Sequence, residues 1–348
     1  MSSFRLVRKD HLIFAVVIST LVISSPSISN HGYFKSTKVV YGQPDSDQIN
    51  SNTTNSIHIQ GITLEKVHVG DIDVAYKIFG KGDPIILFNG ASDRMDAWDP
   101  SFLTSISSNH TVIVFDQRGI GNSTVGSAPY TYAQLANDTA GLLDALKIPK
   151  ADVMGYSLGG HIAQAFTISH PEKVNRLILV ASSCGGKDSI PKPAEFKKLQ
   201  ADVVNKSLQN IPITQELKAL NVASLGSGWV KLHPESVDVP ANTTSLQQLK
   251  PGLTPEIADK QNSLGIWENT NWSGACDAEA KLAKPTLVIT GTDDNNYMPH
   301  GNALILAGKI PGAWLVQIKD AGHAVMNQYP AEIGKILNTF LSTTGQNT

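Results

Sequence analysis

The chain has 348 residues, of which 41% are hydrophobic and 17% are charged, and its formal net charge is -2 at pH 7. This composition is typical of a globular protein and excludes the disordered and fibrous classes. The length suits one large α/β domain with an insertion, or two small domains. Because there is neither a positive net charge nor a basic stripe, the sequence predicts no nucleic-acid partner.

The first 29 residues have the pattern of a secretory signal, with a basic start, an apolar run and a small-residue exit. The apolar run covers residues 12–23, and Ser27 and Ser29 follow it. Because the run is shorter than the ~20 residues that span a bilayer, we predict export to the cell surface or the outside. The alternative is membrane association through an uncleaved N-terminal anchor. Residues 30–61 are rich in Ser, Asn, Thr and Gln and predict a flexible spacer.

After the spacer, short apolar runs alternate with helical periods. Residues 64–69 and 72–78 alternate apolar and polar side chains around Gly70-Asp71 and predict a β-hairpin. Other apolar runs predict strands that are buried on both faces of a parallel sheet, at 84–88, 112–115, 151–154, 177–181, 286–290 and 313–318. Helical periods cover residues 132–146, 158–169 and 333–341. The alternation predicts an α/β fold with helices on both faces of a mostly parallel sheet.

The alternation stops over residues 183–282, which are rich in proline and contain helical fragments such as 194–207. We interpret this stretch as a mainly helical cap inserted into the sheet domain, above the carboxyl ends of the strands where ligands bind. Its tryptophans either line a pocket or hold the cap together, and they are Trp229, Trp267 and Trp272. Cys184 and Cys276 either close the base of the cap as a disulfide or stay separate buried thiols.

A candidate nucleophile, Ser157, lies in Gly155-Tyr156-Ser157-Leu158-Gly159-Gly160, between a strand run and a helical run. A nucleophile on a tight strand-to-helix turn has strained backbone angles and close neighbours, so its flanking positions must lack side chains. The following helix directs the positive end of its dipole toward the hydroxyl and favours a developing negative charge there.

A serine hydroxyl needs a base, and a base needs a carboxylate that orients it. His323 follows the strand at 313–318 and is the best candidate base among ten histidines. Asp293 and Asp294 follow the strand at 286–290, and one of them is the candidate acid. Two backbone N–H groups must also stabilise the oxyanion. We expect these from Leu158, directly after the nucleophile, and from Ala91, in the loop after the strand at 84–88.

Several segments resemble the α/β-hydrolase superfamily from about residue 62 to residue 343. They are Phe88-Asn89-Gly90 ahead of Trp98, Asp116-Gln117-Arg118-Gly119-Ile120-Gly121-Asn122-Ser123, Gly155 to Gly160, Gly291-Thr292-Asp293-Asp294 and Gly322-His323. The resemblance implies that Asp294 is the acid, because the family acid is usually the fourth residue of its Gly-x-x-Asp segment. It implies a structural, bracing role for the segment that begins at Asp116.

One departure concerns Asn89, because many relatives have His-Gly where this chain has Asn89-Gly90. An Asn at this position of the oxyanion loop is similar to the loop of enol-lactonases of the superfamily. The loop does not resemble that of proline aminopeptidases, and a serine nucleophile is unlike the haloalkane dehalogenases and epoxide hydrolases.

The leading hypothesis is a carboxylic-ester hydrolase with the triad Ser157, His323 and Asp294, which requires no cofactor and no metal. One alternative is a lactonase or a perhydrolase-like enzyme with the same triad. Another is a non-catalytic ligand-binding protein on the hydrolase fold. The expected partner is therefore a small-molecule ester or lactone, and neither the substrate itself nor the oligomeric state follows from the sequence.

Overall fold

A computed structural model of the protein describes residues 58–244, 260–261, 264 and 274–344. The predicted export segment at 1–29, most of the predicted spacer, Trp267 and Trp272 lie outside the described residues. The last four residues of the predicted spacer are described and include the 3₁₀ helix Ile59–Gly61. Ile59 is fully buried there, and its carbonyl accepts a hydrogen bond of 2.8 Å from the Lys77 ammonium.

Eight strands form one sheet. They are β1 (Glu65–Val69), β2 (Ile72–Gly80), β3 (Asp83–Phe88), β4 (His110–Phe115), β5 (Ala151–Tyr156), β6 (Val174–Val180), β7 (Thr286–Gly291) and β8 (Trp314–Ile318). The strand order is β1-β2-β4-β3-β5-β6-β7-β8. The β1-β2 and β2-β4 pairs are antiparallel, and the pairs from β4 to β8 are parallel. The predicted hairpin and the mostly parallel sheet are both confirmed.

The described helices are α1 (Pro100–Ser107), α2 (Tyr132–Ala145), α3 (Leu158–Ser169), α4 (Ala194–Leu208), α5 (Thr214–Leu225), α6 (Ser227–Leu232), α7 (Cys276–Leu282), α8 (Gly301–Lys309), α9 (Val325–Gln328) and α10 (Pro330–Thr344). In this part of the chain, no helix is long and apolar enough to cross a bilayer.

The pleat of the strands divides the core between the two faces of the sheet. Val153 belongs to a buried cluster with side chains of α2 and α3, whereas its neighbour Met154 belongs to a second cluster with side chains of α1 and α10. Successive side chains on a strand point to opposite faces, so a strand that is covered on both sides reads as a continuous apolar run. This is why the buried parallel strands could be predicted from such runs.

The α1 helix was missed by the sequence analysis. It has eight residues, which is too short for a clear helical period, although its start carries a strong local signal. The Asp99 carboxylate accepts hydrogen bonds from the N–H groups of Ser101 and Phe102, at 2.7 and 3.2 Å, and Pro100 occupies the first helical position. Phe102 and Leu103 then bury the apolar face of the helix.

The predicted insertion is confirmed as the helices α4 to α6 between β6 and β7. These helices have a small core of their own, in which Val203, Leu217 and Leu220 are buried. Trp229 stacks on His233, with ring centroids 4.1 Å apart, and meets Tyr329 edge-on, so its ring holds the insertion to the α9–α10 corner. Cys184 and Cys276 form a disulfide that closes the base of the inserted segment.

One buried acid, Glu279 on α7, is 3% exposed, and neither of its carboxylate oxygens has a hydrogen-bond partner among the residues that the structure describes. Burial raises the pKa of Glu279 from 4.5 to about 8. The unfolded chain therefore loses this proton near pH 4.5, whereas the folded chain keeps it until about pH 8. Across that window the unfolded state binds fewer protons, so the free energy of unfolding falls as the pH rises.

Replacing Glu279 by Gln should remove this pH dependence. We expect the E279Q variant to match the wild type near pH 4 and to exceed it by more than about 1 kcal/mol at pH 8. Urea unfolding at both pH values measures the difference, and the exposed Glu235→Gln serves as the matched control. Parallel pH profiles for wild type and E279Q would contradict the assignment of a neutral buried acid.

Candidate active site

Ser157 lies on a sharp turn at the carboxyl end of β5, directly before α3. Its φ of 55° and ψ of -121° are strained for a residue with a side chain. Its N–H donates to the Val180 carbonyl at 2.9 Å, which ties the turn to β6. A Cβ at Gly155 would come within 2.3 Å of the Gly159 carbonyl oxygen, and a Cβ at Gly159 within 2.2 Å of the Phe88 carbonyl oxygen. Glycine is therefore required on both sides of Ser157, as predicted.

The structure brings Ser157, His323 and Asp294 together from three separate loops. The Nε2 atom of His323 lies 2.9 Å from Ser157 Oγ, and Nδ1 lies 2.6 Å from Asp294 Oδ2. A carboxylate only accepts hydrogen bonds, so Nδ1 donates and Nε2 is left to accept the serine proton. All three side chains are buried. The arrangement is that of a serine nucleophile, a base and an orienting acid.

The two adjacent aspartates have different partners. Asp294 contacts His323, and its other oxygen accepts a hydrogen bond of 3.0 Å from the Met298 N–H. Asp293 instead accepts a hydrogen bond of 3.0 Å from the Gly228 N–H at the start of α6. Asp293 thus holds the insertion to the loop after β7, while Asp294 alone is placed to orient the imidazole.

Two tyrosines that the sequence analysis did not select hold the imidazole. The ring of Tyr297 stacks on His323 with a centroid distance of 5.0 Å and also packs against Phe196 of α4. The ring of Tyr156 packs against the His323 ring with a centroid distance of 5.5 Å, and the Tyr156 hydroxyl donates to the His323 carbonyl at 3.1 Å. Tyr156 directly precedes Ser157, and Tyr297 follows Asp294 by three residues, so closeness in the sequence was the signal available for these contacts.

The histidine loop is bound to the insertion through Gln328. Its side-chain oxygen accepts a hydrogen bond from the Gly322 N–H at 2.9 Å, and its side-chain nitrogen donates to the Leu225 carbonyl at 2.7 Å. The Ala324 N–H also donates to the Ser224 carbonyl, at 3.0 Å. The carboxyl end of α5 thereby positions His323 from the insertion side.

The predicted oxyanion donors, Leu158 and Ala91, follow the neighbouring strands β5 and β3. Leu158 is the first residue of α3, where helix geometry leaves the N–H without an intrahelical acceptor. Ala91 is fully buried in the loop after β3, next to Ser92 with its φ of 61°. The Asn89 side chain donates to the Arg94 carbonyl at 2.8 Å and accepts from the Trp98 ring N–H at 2.9 Å. Both ends of this unusual amide therefore brace the loop.

The segment that begins at Asp116 forms hydrogen bonds and ion pairs with neighbouring parts of the fold. The Asp116 carboxylate accepts hydrogen bonds of 2.8 Å from the N–H groups of Met95 and Asn122. The buried Arg118 pairs with Asp138 and Asp71, each at 2.7 Å. These two carboxylates raise the pKa of Arg118, and the guanidinium lowers the pKa of Asp71. All of these contacts are internal, which fits the bracing role that the resemblance implied.

A family model described as the alpha/beta hydrolase fold matches residues 83–327. The chain belongs to the α/β-hydrolase fold family.

Curated relatives include a poly(3-hydroxyalkanoate) depolymerase of Ectopseudomonas oleovorans, 28% identical over 76% of this chain and 86% of that protein. A 2-hydroxy-6-oxononadienedioate/2-hydroxy-6-oxononatrienedioate hydrolase of Burkholderia vietnamiensis is 27% identical over 83% of this chain and 99% of that protein. Among solved structures, the enol-lactonase of Burkholderia xenovorans LB400 superposes with a TM-score of 0.60 over 80% of this chain and 100% of that chain. At 22% identity, this last likeness shows the fold alone.

In this α/β-hydrolase a second histidine, His161, lies on the helix that follows the nucleophile. His161 on α3 is buried, and its Nε2 lies 3.2 Å from Ser183 Oγ. Burial lowers the pKa of His161 well below its ordinary value, so the ring stays neutral.

Within the described ranges no group of three His, Cys, Asp or Glu side chains is spaced to hold a metal ion.

Proposed function

We propose that the protein hydrolyses carboxylic esters through a covalent acyl-enzyme on Ser157. The observation that carries this proposal is the hydrogen-bonded chain from Ser157 through His323 to Asp294, on a strained turn between strand and helix. The family match and the two relatives named as a depolymerase and a hydrolase support a hydrolytic reaction.

The steps follow from the geometry. Ser157 Oγ attacks the ester carbonyl while His323 Nε2 takes its proton, and the N–H groups of Ala91 and Leu158 stabilise the oxyanion. The imidazolium then gives the proton to the leaving alcohol as the tetrahedral intermediate collapses. Water, deprotonated by His323, attacks the acyl-enzyme and releases the acid and Ser157. Asp294 keeps the imidazole in the required tautomer throughout.

A panel of short- and long-chain p-nitrophenyl esters and of γ- and δ-lactones tests this function. We expect saturable release of p-nitrophenol from at least one ester, well above the uncatalysed rate. If lactones were hydrolysed and none of the esters were, the lactonase alternative would replace this proposal. Absence of hydrolysis across the panel would contradict an esterase.

We also propose that the protein is exported. The basic and apolar pattern of residues 1–29 supports this, and so does the disulfide between Cys184 and Cys276, because such bonds persist in oxidising compartments. Fractionation of the native host, followed by N-terminal sequencing, distinguishes a cleaved exported form from a retained anchor. Recovery of the protein from the cytosol would contradict export.

A further inference from the structure

The side chain of Gln328 joins the loop of the base to the insertion. Its oxygen accepts a hydrogen bond of 2.9 Å from the N–H of Gly322, directly before His323, and its nitrogen donates one of 2.7 Å to the Leu225 carbonyl at the end of α5. Gln328 is 7% exposed, so solvent competes little for these two groups. An amide suits this place, because a carboxylate could not donate to the carbonyl and an ammonium could not accept from the N–H.

The histidine loop also touches the α5–α6 corner (residues 224–228) so closely that no side chain fits between them. A Cβ at Gly322 would come within 2.3 Å of the Ser224 carbonyl oxygen and within 2.6 Å of the Gly226 nitrogen. The same Ser224 carbonyl accepts a hydrogen bond of 3.0 Å from the Ala324 N–H. The insertion therefore holds the backbone on both sides of His323, through Gly322 and through Ala324.

The α5–α6 corner contacts the loop of the triad acid as well. A Cβ at Gly226, whose φ is 81°, would come within 2.5 Å of the Asp293 Cβ atom. The Asp293 carboxylate accepts the Gly228 N–H at 3.0 Å, and the Asp293 N–H donates to the Ala321 carbonyl at 2.8 Å. The acid loop, the histidine loop and the insertion thus meet at one junction, where a displacement of the corner would disturb both loops.

We propose that Gln328 is a positioning residue for His323, and that the insertion helps to set kcat through the end of α5. The base works only within hydrogen-bond reach of the nucleophile, and here Nε2 lies 2.9 Å from Ser157 Oγ. A misplacement of about 1 Å can lower a rate by about 10²-fold. The inference rests on the proposed function, in which His323 takes the proton of Ser157, and it gives the insertion a role beyond covering the substrate.

The first variant that tests this role is Gln328→Met, which keeps the length of the side chain but cannot donate and accepts only weakly. We expect kcat for the best p-nitrophenyl ester to fall about 10- to 100-fold, with KM within about twofold of wild type. The rate at which a fluorophosphonate probe labels Ser157 should fall by a similar factor. Gln209→Met makes the same change at an exposed position and should leave both rates unchanged.

A second variant, Gln328→Glu, separates positioning from folding. Its protonated carboxyl group both accepts and donates, whereas its carboxylate only accepts and would face the Leu225 carbonyl. Because burial favours the neutral form, that form should persist above the pKa of a free carboxyl group. The ratio of variant to wild-type kcat should therefore be highest at low pH and fall as the pH rises. Titration of groups that both proteins share, His323 among them, cancels in this ratio.

Melting temperatures at each pH show whether the variants are folded during the assay, and Gln328→Glu at low pH carries the test if Gln328→Met does not fold. Unchanged kcat in a folded Gln328→Met would overturn the inference, as would a rise in KM alone or a ratio for Gln328→Glu that does not change with pH. Failure of wild type to hydrolyse any ester would instead contradict the esterase function, and the labelling rate of Ser157 would still test Gln328.

Discussion

Replacing Ser157 by Ala is expected to lower kcat for the best p-nitrophenyl ester by roughly 10⁴- to 10⁶-fold. The variant keeps its base and acid but has no atom that can form the acyl-enzyme. Its fold should be preserved, because Ala at the positive φ of this turn is no more strained than Ser. Steady-state kinetics on purified protein measures the loss.

The matched control for this variant is Ser169→Ala, at the exposed end of the same helix. We expect its kcat to stay within about twofold of wild type, since surface substitutions change little. If Ser157→Ala kept a tenth or more of the wild-type kcat with an unchanged melting temperature, another group would have to be the nucleophile.

The second large effect is a loss of kcat that we expect at only one of the two adjacent aspartates. Asp294→Asn should lower kcat by roughly 10⁴-fold, because an amide in this place no longer selects the imidazole tautomer in which Nε2 accepts the serine proton. Asp293→Asn should keep kcat within a fewfold of wild type and lower the free energy of unfolding by about 1 kcal/mol, through a weaker hydrogen bond to Gly228.

The comparison needs kinetics and urea unfolding on both variants. Each variant replaces a carboxylate by an amide of nearly the same shape, so each variant controls for the other. Loss of activity at Asp293 with retention at Asp294 would reverse the assignment of the acid.

Local signals carried much of the fold and of the candidate site. The strands could be predicted because burial on both faces leaves continuous apolar runs, and Ser157 because its turn excludes side chains at Gly155 and Gly159. His323 followed from the fixed chain order of nucleophile, acid and base in this fold. The α1 helix was not predicted, because its eight residues are too few to establish a helical period.

Contacts between distant segments could not be predicted in the same way. Asp293 and Asp294 follow the same strand, and only the packing of α6 and of the histidine loop decides which one meets His323. Gln261 lies 169 residues from Ser92 in a stretch without periodicity, so nothing local relates the two. Tyr297 packs against Phe196 of the insertion as well as against the imidazole of His323, and no local pattern relates these three residues.

The central claim is that Ser157 is an activated nucleophile, and labelling with a fluorophosphonate probe tests it most directly. Intact-mass and peptide mass spectrometry should show one probe on the wild type, attached at Ser157, and none on Ser157→Ala. An unlabelled wild type, or a probe found on another residue, would contradict the account and favour a ligand-binding protein on the hydrolase fold.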